Sequence, residues 1–261
     1  MSFTHLRVHV HEVAGTVILN RPEQRNALNR QLLRELRQAL EDLHLQRSVR
    51  AVILTGSGSA FCAGMDLKEM LETAEQEDAQ RLWHQDAELY REVLEQMLLF
   101  PKPIIAAVNG PAVAGGAGLV LASDVVLAAP EARFGLPEPL RGLVAGMVAP
   151  LLAFRIGAGH AARLLLTSEI VPAEEALRIG AFHRVVPEEQ LWAAAVEVAR
   201  QCARGAPEAL QLSKRMLNET VGAQLSTLLA TGAAISATAR TTEAAQEGLR
   251  AFQEKRQPQW P

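Results

Sequence analysis

The sequence predicts an α/β fold in which a mixed core is followed by a helical carboxyl-terminal region. Short β-type apolar runs alternate with stretches of helical spacing up to about Val186, the alternation that builds layers of strands and helices. From Pro187 onward the β signal disappears and helical spacing runs on to Lys255. The chain has 261 residues and is 49% hydrophobic, enough to bury a full core without a metal or a disulfide.

Each element has a local reason. Leu6 to Val13 and Gly15 to Asn20 read as two strands joined by a tight turn at Ala14-Gly15, because β-branched, alternating residues flank a glycine. Asn29 to Leu45 sets Leu32, Leu33, Leu36, Ala39, Leu40 and Leu43 at helical spacing, with arginines and glutamates opposite, which predicts an amphipathic surface helix. The strand Ala51 to Thr55 follows, then a glycine-rich junction, a polar helical region from Lys68 to Leu99 and a break at Pro101-Lys-Pro103. A second strand, Ile104 to Val108, leads into a second glycine-rich junction, and Asp124 to Ala129 is a third. Helices are expected to start at Pro187 and Pro207, since a first helical turn tolerates proline. The alanine-rich stretch from Ala193 to Ala239 is more apolar than a lone surface helix needs, which suggests packing against another subunit.

Composition excludes several classes. Net charge is −3 and no basic tract exceeds Lys214-Arg215 or Lys255-Arg256, so a nucleic-acid partner is not expected. No run of 18 apolar residues exists to span a membrane. Cys62 and Cys202 lie far apart and the amino terminus lacks the apolar run of a secretory signal, so the expected compartment is the cytoplasm. His9 and His11 share one strand face, but no third ligand accompanies them and no metal is expected.

The chemistry concentrates in three segments: Gly56 to Asp66, Asn109 to Gly118, and Phe134-Gly-Leu-Pro-Glu138. Each of the first two follows an apolar strand and opens toward a helix, so each can aim a free backbone N–H at one anionic atom. Two such donors make an oxyanion hole. Glu138 lies between Pro137 and Pro139 among apolar neighbours, where desolvation raises a carboxyl pKa toward the range useful for proton transfer. A dinucleotide fingerprint fails because Phe61 stands where the third glycine belongs, and neither a Gly-x-Ser-x-Gly elbow nor a phosphate-binding loop occurs. Cys62 reads as a small buried hydrophobe. The glycines taken singly are explained by close packing, and it is their arrangement around a downstream Pro-Glu that points to a site.

These segments, in order along almost the whole chain, resemble the crotonase superfamily, also called the enoyl-CoA hydratase/isomerase family. The resemblance is carried by Leu19 to Leu28, Ala60 to Lys68, Ala107 to Gly110, Ala114 to Gly116, Ser123-Asp124, Pro172 to Leu177 and Gly248 to Arg256. It implies a spiral of ββα units with an acyl-CoA site over residues 1–200, and a helical region over 201–261 that builds a homotrimer or a dimer of trimers. It also implies that the N–H groups of Met65 and Gly115 form the oxyanion hole. Arg25, Ala27 and Ala63, with Asp66, Leu67 and Lys68 beside them, match the segments that cradle coenzyme A. Phe252 and Lys255 match an aromatic and a lysine that contact it, often from the neighbouring subunit.

Two departures from the family pattern matter. Hydratases of the family commonly carry a second glutamate where this chain has Gly118, leaving Glu138 to position water and deliver the proton alone. Family dehalogenases use an aspartate where this chain has Gly146. The expected activity is hydration of a 2-enoyl-CoA through a thioester enolate. Δ3-Δ2 enoyl-CoA isomerisation by the same glutamate is the alternative, and a non-catalytic acyl-CoA binder the further one. No cofactor is expected beyond the coenzyme A carried by the substrate.

Overall fold

The computed structural model describes residues 3–260 and builds two sheets wrapped by helices. The larger sheet has six strands, whose spatial order starts from β1 (Leu6–His11), β2 (Ala14–Leu19) and β3 (Ala51–Gly56). It continues with β4 (Ile104–Val108), β6 (Val125–Ala128) and β9 (Arg184–Val185). Only the β1–β2 pairing in it is antiparallel. The smaller sheet holds β5 (Ala112–Val113), β7 (Arg133–Gly135) and β8 (Ile170–Pro172). Successive strands pass from one sheet to the other, β4 to β5 and β6 to β7, and the isolated bridge Cys62–Ala112 adds the turn after β3 to the same spiral.

Alternation along the parallel strands sorts the core. Val52 and Leu54 face the main core, together with Ile104, Ala106 and Val126 from the neighbouring strands. Ala51, Ile53, Ile105 and Ala107 face the opposite side, where α8 (Leu191–Ala203) covers them with Leu191, Ala195 and Ala199. Helix α1 (Arg30–Leu45) buries the six residues its spacing selects, Leu32, Leu33, Leu36, Ala39, Leu40 and Leu43. Asn29 caps it by accepting from Leu32 N.

Three boundaries differ from the sequence reading. The chain reverses at Glu12-Val13, with Glu12 left-handed at φ 51° and its carboxylate held by Arg200, and not at Ala14-Gly15. Gly15 sits inside β2, where a Cβ would come 2.6 Å from Leu43 Cδ2, so this glycine lets α1 lie close to the sheet. The region from Lys68 to Leu99 divides into α2 (Leu67–Ala74) and α3 (Ala79–Leu99). Glu75, Glu77 and Asp78 fall between them, unfavourable at the negative end of α2 and favourable at the positive end of α3. Residues Glu188–Gln190 form a single 3-10 turn after Pro187, so α8 starts at Leu191.

The last helices are not appended to this body but built into it. They are α9 (Pro207–Met216), α10 (Leu225–Ala239) and α11 (Glu243–Gln253). Leu225, Leu229, Ala233 and Ala237 of α10 join the main core. Lys214 of α9 reaches under β4, donating to the carbonyl of Met97 at 2.9 Å and to Asp124 at 2.7 Å. That same Asp124 oxygen accepts from Ile104 N at the start of β4.

Removing one partner of a largely buried ion pair leaves the other charge uncompensated, so Lys214→Ala is expected to lower unfolding stability by about 3 kcal/mol. Chemical denaturation measures this; a change within a few tenths of a kcal/mol would show that the tether is incidental.

Candidate active site

Two backbone N–H groups are presented side by side by unrelated pieces of chain. Buried Asn26 organises the first: Nδ2 donates to the carbonyls of Ser57 (2.9 Å) and Ala60 (2.8 Å), while Oδ1 accepts from Arg21 N. Leu28 then bridges to both sides of Met65, donating to Gly64 O at 2.7 Å and accepting from Asp66 N at 3.0 Å. In a parallel bridge this turns the Met65 N–H the other way. The second N–H belongs to Gly115, first residue of α4 (Gly115–Ala122), where no helical acceptor exists for it. Ala114 before it holds φ 52° and ψ −127°, a strained backbone for a residue with a side chain, and that angle sets the direction of the Gly115 amide. A Cβ placed on Gly115 would lie 3.5 Å from Met65 N, so the two amides are neighbours. Among the described residues neither N–H meets a backbone acceptor. Together they can hold one oxyanion.

Glu138 opens a short 3-10 turn, Glu138–Arg141, and shares with Met65 and Gly115 the wall of a cavity of about 430 Å³. Its Oε2 is enclosed and finds no hydrogen-bond partner among the described residues. Burial pushes its carboxyl up to about 7, opposed only by its own amide. The turn is clamped from outside by α11. A side chain at Gly248 would run into the Arg141 carbonyl, and Gly142, left-handed at φ 64°, fits directly against Ala244.

The position of the absent second carboxylate has a physical explanation. Tyr90, the single tyrosine of the chain, comes from α3 and donates to Gly115 O at 2.6 Å. Any Cβ at Gly118 would overlap the Tyr90 hydroxyl and sit 3.1 Å from Val148 Cγ2. The space beside Gly118 is therefore occupied. Burial, with smaller contributions from Cys62 and Glu138, raises the Tyr90 pKa well above its ordinary value, so the phenol stays protonated. At Gly146 a side chain would strike the Gly232 carbonyl and lie 2.7 Å from Ser236 Oγ, which leaves no room for a nucleophilic aspartate.

The remaining sequence-named residues divide. Arg25, Ala63, Leu67 and Phe252 line the cavity with Met65, Gly115 and Glu138. Ala27, Asp66, Lys68 and Lys255 do not. Asp66 is engaged otherwise, capping α2 through Lys68 N and Glu69 N and pairing with Arg21 at 2.9 Å. Lys68 and Lys255 stand in solvent. Cys62 is fully buried, with its thiol on Asn26 O and burial pushing its pKa up to about 12, an unreactive sulfur. His9 and His11 are exposed, and no cluster of metal-binding side chains occurs among the described residues. No helix among them is long and apolar enough to cross a membrane.

The family model for enoyl-CoA hydratase/isomerase matches residues 11–261. The chain belongs to the enoyl-CoA hydratase/isomerase family. It is 41% identical over 246 residues to a putative enoyl-CoA hydratase of Thermus thermophilus, covering 94% of this chain and 96% of that one. It is 35% identical over 244 residues to a short-chain-enoyl-CoA hydratase of Clostridium acetobutylicum, covering 93% and 92%. An enoyl-CoA hydratase/isomerase crystal structure from Xanthobacter autotrophicus Py2 superposes with a TM-score of 0.90 at 30% identity over the full length of both chains. The architecture is accordingly the crotonase fold, α/β with a helical carboxyl-terminal region.

Sequence reasoning missed Tyr90, Ser236 and Arg240, all on the cavity wall of this family member. A lone tyrosine in an amphipathic helix and an arginine closing an alanine-rich one were the available signals. The overlap at Gly118 predicts coupling: Gly118→Ala alone is expected to destabilise by about 1–3 kcal/mol, and Gly118→Ala with Tyr90→Phe by less than the sum of the single changes. A thermal or chemical double-mutant cycle measures the difference, and strict additivity would show that the phenol is free to move aside.

Proposed function

We propose that the chain is an acyl-CoA enzyme that transfers a proton at the carbon α to the thioester of a 2-enoyl-CoA, with hydration as the overall reaction. The observation that carries this reading is an enclosed, unpartnered Glu138 carboxyl sharing one cavity with the free amides of Met65 and Gly115. In the proposed step the two N–H groups hold the thioester oxygen as negative charge builds on it. The Glu138 carboxylate takes a proton from water as oxygen joins C3, then returns it to C2 as the enolate collapses. Phe252, Arg25, Ala63 and Leu67 would contact the coenzyme A portion, with Ala27, Asp66, Lys68 and Lys255 further out along it. The reaction so written uses no cofactor beyond that coenzyme A.

Isomerisation between 3-enoyl and 2-enoyl thioesters is the second reading, supported by the tyrosine at the Gly118 position. One carboxylate suffices to carry a proton between C2 and C4, whereas hydration usually divides its work between two. A binder without turnover is the third, and the desolvated Glu138 argues against it. Exposed apolar residues in the carboxyl-terminal region, among them Met216, Leu217, Val221 and Ile235, support assembly into trimers.

Glu138→Gln keeps the shape of the side chain but cannot exchange a proton, so turnover is expected to fall by about 10²-fold or more with thioester affinity nearly unchanged. Steady-state kinetics on 2-enoyl-CoA and 3-enoyl-CoA, paired with calorimetry, tests this and separates the two reactions; a variant as active as the parent on both sinks the reading.

The working form is the carboxylate, and its pKa is raised to about 7. Lowering the pH through 7 therefore protonates the base, and kcat/KM should decline about tenfold per pH unit on the acid side. A flat profile between pH 5 and 8 would exclude Glu138 as the group that takes the first proton.

A further inference from the structure

Arg240 caps α10 with its side chain turned inward. It is 5% exposed, it forms part of the cavity wall, and its Nη1 is enclosed with no acceptor among the described residues. A buried guanidinium without an acceptor is unfavourable by itself, and the fold does little to relieve it. The carboxylate whose charge acts on it is Asp86, but both oxygens of Asp86 are bound by Arg30, at 2.5 Å and 2.8 Å. Arg30 adds a second cation that works against Arg240. The next carboxylate of that group, Glu69, is committed to Arg30 N. Burial lowers the Arg240 pKa to about 10, so the side chain remains a cation at neutral pH.

The position of this cation relative to the base is informative. Arg240 and Glu138 line one cavity, yet neither acts appreciably on the other: Glu138 feels burial and its own amide, and Arg240 feels burial, Asp86 and Arg30. Met65, Met70, Leu143 and Val148 supply the apolar lining of the same cavity. An acyl group whose thioester lies at Met65 and Gly115 would thus run along apolar wall toward a guanidinium in need of an anion.

We propose that Arg240 receives a carboxylate at the far end of the acyl chain, so that the favoured substrates are 2-enoyl-CoA thioesters ending in a second carboxyl group. The inference rests on the acyl-CoA reading given above. A planar guanidinium pairs with such a carboxylate through parallel N–H···O bonds, which fixes the end of the chain and sets its preferred length. A methyl-ended chain reaching the same place leaves the cation unpaired and is disfavoured.

The test uses 2-enoyl-CoA thioesters of increasing length, each prepared with a methyl end and with a carboxylate end, and the saturated pair of each length for binding by calorimetry. At one chain length the purified enzyme is expected to favour the carboxylate end by about 10- to 100-fold in kcat/KM and in affinity. Arg240→Met should bring that ratio close to one, chiefly through KM and binding, and Arg240→Lys should restore part of it. Equal preference for both ends at every length in the unmodified enzyme overturns the proposal, and this comparison stands even if a variant fails to fold. Loss of both activities in parallel in Arg240→Met, at an unchanged ratio, also overturns it by assigning the residue a structural part only. Binding preference without turnover would support Arg240 while defeating the Glu138 chemistry, whereas binding of neither saturated thioester would defeat both.

Discussion

A buried acidic side chain, with one oxygen that no donor reaches among the described residues, is the constraint around which this molecule is arranged. With a folded pKa near 7 against an ordinary 4.5, Glu138 keeps a proton in the folded state that the unfolded chain has already released. The sign follows: folding is favoured by that proton at low pH, and the advantage is lost as pH rises from 4.5 through 7. At higher pH the ionised, buried carboxylate opposes folding by about 3 kcal/mol. A short 3-10 turn does not hold a destabilised group in place by itself. The contact of α11 with Arg141 and Gly142 supplies the restraint, which ties the carboxyl-terminal helices to the position of Glu138.

The two free amides impose a similar demand in a different currency of structure. Met65 gains its outward N–H because Leu28 takes up the hydrogen bonds on either side of it, and Leu28 is itself fully buried. Gly115 gains its own through the strained Ala114, whose N–H is anchored to Gly135 O at 3.0 Å. Strain of this kind persists only where surrounding contacts over-determine the backbone. Here the anchors are two sheets and a buried asparagine, so the direction of both amides is set by the fold itself.

How much of this the sequence disclosed depends on the range of the interaction. The periodicity of α1 named all six residues it buries, because an amphipathic helix writes its inward face locally. The segments that bring Glu138, Met65 and Gly115 to one cavity were likewise visible, since glycine junctions after apolar strands leave amides free. Gly15 was misread as a turn because the group that requires it, Leu43, lies on another element. The filling of the Gly118 space by Tyr90 and the inward turn of Arg240 are contacts between segments far apart in the chain, and no local pattern records them. The split between α2 and α3 was visible in the acidic cluster at residues 75–78 but weaker than the helical spacing around it.

The layout of charge ties these observations together. A guanidinium close to Glu138 would hold its carboxyl below the ordinary range and leave a base too weak to take a proton from water or from carbon. A cavity wall with no cation would offer nothing to a terminal carboxylate, the partner proposed for Arg240. Glu138 and Arg240 line one cavity without either charge acting appreciably on the other. The linker between α10 and α11 starts at Arg240, and α11 returns to brace the turn that carries Glu138. One stretch of the carboxyl-terminal region thus carries a buried cation of the cavity wall and braces the turn that bears the buried carboxyl. Its sequence is constrained from both sides, because Arg240 is buried at its start and Gly248 of the following helix is pressed against the Arg141 carbonyl.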